Sequence, residues 1–137
     1  MKKYLYSLLF VLVLISGCGK EENYVPEVVV NYNVTLTQFS LQAKNSIVLL
    51  VPNQGVAGLM IVRTPLGGFV AFDRCSTVNP EKKCAIVPDE SGYIATDPCS
   101  GAKFSLLDGT PQKAPAEKNL KVYNISLQGN TLLNVTN

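Results

Sequence analysis

FDRCSTVNP, at residues 72–80, and TDPCSGAKF, at residues 96–104, each set one cysteine in a stretch crowded with Asp, Ser, Pro, Asn or Gly. Apolar, strand-like runs flank both. Cysteine loops paired in this way hold a metal or a disulfide, and deciding between the two decides how the chain is built and what it does. The 137 residues contain four cysteines and no histidine. Imidazole ligation is therefore excluded, and so is a Ser-His catalytic triad.

Outward from the two loops the chain reads as β throughout. Residues 27–36 are rich in β-branched side chains, and short apolar runs follow at 47–51, 59–63 and 69–73. Residues 84–87 and 93–96 flank PDESG (88–92), which predicts a hairpin. A further strand is expected over 103–107, ending at Asp108-Gly109, and a last hairpin over 122–127 and 131–135 turns through Gly129. No helical period is sustained beyond the N-terminal segment. The expected class is all-β, a small antiparallel sandwich or barrel after an N-terminal signal helix.

The N-terminus sets the compartment. Lys2 and Lys3 precede an apolar run over 4–15, which is too short to span a bilayer and reads as a secretory signal. ISGC at 15–18 resembles a bacterial lipobox, in which Cys18 is lipidated and becomes the first mature residue. Residues 1–17 are then a signal peptide, 18–26 a lipid-anchored tether, and 27–137 one β domain. Gly19 favours outer-membrane sorting, and Lys20-Glu21-Glu22 resembles a surface-export tag of Bacteroidota lipoproteins. The anchor makes the membrane a partner without a spanning segment. Losing Lys2 and Lys3 reduces 12 basic residues to 10, against 10 acidic ones, so the mature charge is zero. No basic stripe remains to attract nucleic acid.

The order of strand, Cys75 loop, Cys84 hairpin, Cys99 loop and strand resembles the Rieske domain, over roughly residues 57–136. FVAFDRC (69–75) is similar to the strand that leads into the first Rieske loop. PCSGAKF (98–104) is similar to the second loop, whose family pattern is Cys-Pro-Cys-His-Gly-Ser-x-Phe. Leu107-Asp108-Gly109, Ala114-Pro115-Ala116 and Asn119-Leu120 with Tyr123 match the stretch downstream. The resemblance implies a [2Fe-2S] centre held by Cys-x-His in one loop and Cys-x-x-His in the other. Cys75 takes the first cysteine position, Thr77 the first histidine, Asp97 the second cysteine and Ser100 the second histidine. Three of those four positions lack the ligand, so they read as remnants, with no metal and no cofactor expected. Zinc held by Cys75, Cys84, Cys99 and Asp97 is the competing metal reading, without the close Cys-x-x-Cys pair of a zinc knuckle.

The resemblance also implies a disulfide, because respiratory members of the family tie their two loops together. Cys99 matches the bridging position of the second loop. Cys84 is the expected partner and leaves Cys75 odd; the alternative joins Cys75 to Cys99. A bridge of this span stabilises by roughly 3 kcal/mol in the loop-entropy model. Asp73-Arg74 reads as a solvated pair at a strand end, and Asp89-Glu90 as exposed turn carboxylates. No phosphate-cradling loop is present. The expectation is a non-enzymatic envelope lipoprotein, its degenerate domain a binding or structural module for an unidentified protein or small molecule. The alternatives are a Rieske electron carrier with unusual ligation, or a thiol-disulfide module in which Arg74 activates Cys75.

Overall fold

The computed structural model describes residues 25–137. The expected signal peptide, Cys18 and most of the expected tether lie outside the described residues. Ten strands follow one another: β1 (Asn31–Thr35), β2 (Val48–Val51), β3 (Leu59–Arg63), β4 (Phe69–Asp73), β5 (Val87–Pro88), β6 (Ile94–Thr96), β7 (Lys103–Ser105), β8 (Pro111–Lys113), β9 (Val122–Gln128) and β10 (Leu132–Thr136). A short helix, α1 (Leu36–Gln42), separates β1 from β2, and one 3-10 turn occupies Pro80–Lys82. The fold is all-β and antiparallel, as expected. Its six-stranded sheet runs β1-β10-β9-β4-β3-β2, and a four-stranded sheet runs β5-β6-β7-β8.

The expected strand over 27–36 is corrected. Only its second half is strand, and the chain turns into α1 at Leu36. The cause is local. The Thr35 hydroxyl accepts from the Gln38 backbone N–H at 3.1 Å, and the Gln38 side chain accepts from the Thr35 N–H at 3.1 Å. This reciprocal capping box starts a helix that buries only Phe39. Two turns are too few for a hydrophobic period to show in the sequence.

Strand alternation places a core on each side of the large sheet. Leu59 and Ile61 of β3 join Leu49, Ala71, Leu133 and Phe39 in one cluster. Their neighbours Met60 and Val62 join Phe72, Ile86, Ala102 and Phe104 in the other. The second cluster is the floor beneath the two cysteine loops. The β5–β6 hairpin closes through Gly92, at φ +72, where a Cβ would come within 2.5 Å of Ile47 Cγ1. Only glycine lets this turn lie against the lead-in to β2. Val25, at the end of the expected tether, is already packed at 4% exposure. Beside it Lys121 Nζ bonds Pro26 O at 3.1 Å and pairs with Glu27 at 2.8 Å. Among the described residues no helix is long and apolar enough to cross a membrane.

Candidate functional site

Loop one leaves β4, and loop two joins β6 to β7. Two backbone bonds fold the first loop back on itself, Ser76 N to Cys84 O at 2.9 Å and Ile86 N to Arg74 O at 2.8 Å, and a third, Arg74 N to Gly58 O at 2.8 Å, ties it to the turn before β3. Cys75 and Ala85 form an isolated bridge there. Cys84 is thus held beside the first loop and not within β5. From that position it forms a disulfide with Cys99, Cα to Cα 6.3 Å. The Cys84–Cys99 pairing is the expected one, and the Cys75–Cys99 alternative is set aside.

Cys75 is the odd thiol and is fully buried. Its Sγ donates to Pro80 O at 3.5 Å and Ser76 O at 3.7 Å. Burial, reinforced by the Asp73 and Asp97 carboxylates, pushes the thiol up to about 11 against a smaller opposing effect of Lys83. The thiol-disulfide alternative requires activation of Cys75 by Arg74, and the contacts of Arg74 do not supply it. The Arg74 guanidinium donates to Ile86 O at 3.1 Å, and burial lowers its own pKa.

Asp97 is fully buried between the loops. It accepts from Ser76 Oγ of loop one at 2.7 Å, from Ser100 Oγ at 2.6 Å and from the Cys99 N–H at 2.8 Å. Burial is the largest influence and works to raise its pKa. The bonds from Ser100, Ser76 and Cys99 outweigh it and hold the carboxyl below its ordinary value. Thr77 takes no part, since its hydroxyl donates to Lys118 O at 2.9 Å. Of the four positions expected to be remnants, Asp97 and Ser100 meet directly, while the Cys75 thiol and Thr77 hydroxyl are engaged elsewhere.

Ser76 was not singled out in the sequence. One residue after Cys75, it carries no motif, and its role exists only through the opposite loop. Asp73 is the larger correction. It is buried, not solvated. It accepts from Val56 N at 2.6 Å, Cys75 N at 2.7 Å, Tyr123 OH at 2.7 Å and Ala57 N at 3.2 Å. Burial first, then the bond to Asp73, raises the Tyr123 pKa strongly. A Cβ at Gly55 would come within 2.5 Å of Asp73 Oδ2. The carboxylate thus ties the 52–58 turn, loop one and β9 together beneath Cys75. Asp89 and Glu90 are exposed, as expected, and Asp89 accepts from Ser91 Oγ at 2.6 Å.

A [2Fe-2S] centre of Rieske type takes two thiolates and two imidazoles. The four positions offer one thiol, two hydroxyls and one carboxylate, with one thiol where two are needed and no imidazole. No buried side-chain polar atom among the described residues lacks a partner. The donor set therefore does not fit that group. Among the described residues there is one other cluster of ligand-type atoms: the Sγ of Cys84 and Cys99, bonded to each other, and a carboxylate oxygen of Asp97 lie within 4.8 Å of one another.

The architecture has solved counterparts. The cyanobacterial plasma membrane Rieske protein PetC3 from Synechocystis PCC 6803 is 26% identical, with a TM-score of 0.57 over 79% of this chain and 98% of its own. The ferredoxin of carbazole 1,9a-dioxygenase from Nocardioides aromaticivorans IC177 is 18% identical, with a TM-score of 0.51 over 79% of this chain and 97% of its own. The domain has a Rieske-like fold. No family model matches the chain, and no curated protein matches it.

Proposed function

We propose that this chain is a membrane-anchored envelope lipoprotein whose Rieske-like domain lacks the cluster ligands and serves as a binding or structural module, not as an enzyme. The observation that carries the reading is the donor set. The chain has no histidine, and the Thr77, Asp97 and Ser100 side chains are engaged in hydrogen bonds within the protein. The lipobox-like ISGC supports the anchor, and its sorting residues favour the outer membrane. The alternative is an electron carrier with unusual ligation, favoured by the Rieske and ferredoxin neighbours. It needs ligands that the loops do not offer. A thiol-disulfide module working through Cys75 is disfavoured by that thiol's burial and raised pKa. The test is anaerobic purification followed by iron and acid-labile sulfide analysis. A colourless protein with neither element is expected. Iron and sulfide at one cluster per chain, with a Rieske-type spectrum, would refute the proposal.

A further inference from the structure

We propose that reducing the Cys84–Cys99 disulfide turns the loop tip into a site for a thiophilic divalent cation of the zinc class, with Cys84, Cys99 and Asp97 as ligands. Three observations support it. The two Sγ atoms and an Asp97 oxygen lie within 4.8 Å of one another, so one ion can reach all three after small side-chain rotations. The Asp97 carboxylate is held in place by Ser76 and Ser100, which fixes the hard ligand before the ion arrives. Cys99 is exposed and Cys84 half-buried, which gives both a reductant and an ion a way in. The set differs from the Rieske positions, since Cys84 and Cys99 belong to none of them. It also leaves Cys75 out, whose Sγ turns to Pro80 and Ser76.

The chemistry balances. A dithiol reductant gives two electrons and two protons to the disulfide, the S–S bond breaks, and the reductant leaves as its own disulfide. The cation then displaces the two thiol protons to solvent and forms two metal–thiolate bonds and one metal–carboxylate bond. Water fills the fourth position of the tetrahedron. The site is closed while the bridge stands, so metal uptake reports the redox state of the surroundings. It would also give the binding module proposed above a first ligand, though it does not depend on the lipid anchor.

The test uses the full chain, reduced by a phosphine and desalted without oxygen, then titrated with Co2+ and displaced by Zn2+. The reduced protein is expected to take up one Co2+ per chain, with thiolate-to-cobalt charge-transfer absorption. The disulfide form is expected to take up none. Cys84→Ser and Cys99→Ser should lose that absorption, and Asp97→Asn should weaken uptake by at least about tenfold. If Asp97→Asn fails to fold, Asp97→Glu keeps the carboxylate and should retain uptake. Uptake by the oxidised chain would overturn the proposal. So would charge-transfer absorption that persists in Cys84→Ser, or uptake that ignores Asp97 and vanishes with Cys75→Ser.

Discussion

On the proposed mapping Asp97 takes the place of a Rieske cysteine ligand, and it holds the loops by a different kind of bond. An iron centre joins them by coordination; here one carboxylate draws hydroxyls from both sides. Asp97→Ala leaves two hydroxyls and one N–H short of an acceptor in a buried place. We expect a loss of about 2 kcal/mol in urea unfolding. The carboxyl's pKa is lowered in the folded chain. Its contribution is therefore complete above the unfolded carboxyl range of about 4 and disappears as the pH falls through the folded value. Acid titration of stability should show a shallower fall in Asp97→Asn than in the parent. Cys75 behaves in the opposite sense. Its raised pKa favours the neutral thiol, so that stabilisation is full below the ordinary value of 9.0 and is lost as the pH climbs toward about 11. Maleimide should not label Cys75 in the native protein at pH 8 and should label it fully in denaturant. Rapid native labelling would contradict the burial described for it.

Loop one, loop two and the β5–β6 hairpin between them are short elements with little backbone pairing of their own. β5 has two residues and β6 three. They rely on the floor of Phe72, Phe104 and Ile86 and on the bridge that spans 15 positions. Reduction, or Cys84→Ser paired with Cys99→Ser, is expected to lower stability by roughly 3 kcal/mol in a denaturant titration. A loss near zero would mean that the floor and the Asp97 contacts suffice. The sequence showed the larger elements clearly. β3 and β4 begin and end where the apolar runs at 59–63 and 69–73 do. It hid α1, whose only local sign is the Thr35–Gln38 capping box. It hid β8 as well, since Pro111-Gln112-Lys113 carries no strand pattern and pairs only by lying beside β7. The candidate site was half visible. The disulfide partners could be proposed because loop order resembles a known domain. The acceptor role of Asp73 could not, because three of its four donors come from the distant 52–58 turn and from β9. A charged residue at the end of an apolar strand looks the same whether it meets solvent or a nest of N–H groups.

The domain as a whole ends, at its described N-terminus, against Lys121, and the proposed anchor lies a few residues further on. Cys18→Ala should leave an unprocessed or soluble form when membranes are fractionated. Processed protein that still sediments with outer membranes would refute lipidation at that residue. Within the domain, β1 finds its partner late. Asn33 and Asn134 face each other across the β1–β10 pair, 101 positions apart. β9 likewise joins β4 to β10 across the middle of the sheet. A ribosome delivers β1 long before β10 exists, so the large sheet cannot close while the chain is still being made. Pairings of this length are slow to form, because the loop must be closed before any contact rewards it. A growing chain therefore spends its synthesis without its finished tertiary structure. If the chain is exported as proposed, a channel that threads unfolded polypeptide would meet it in a state that it can thread.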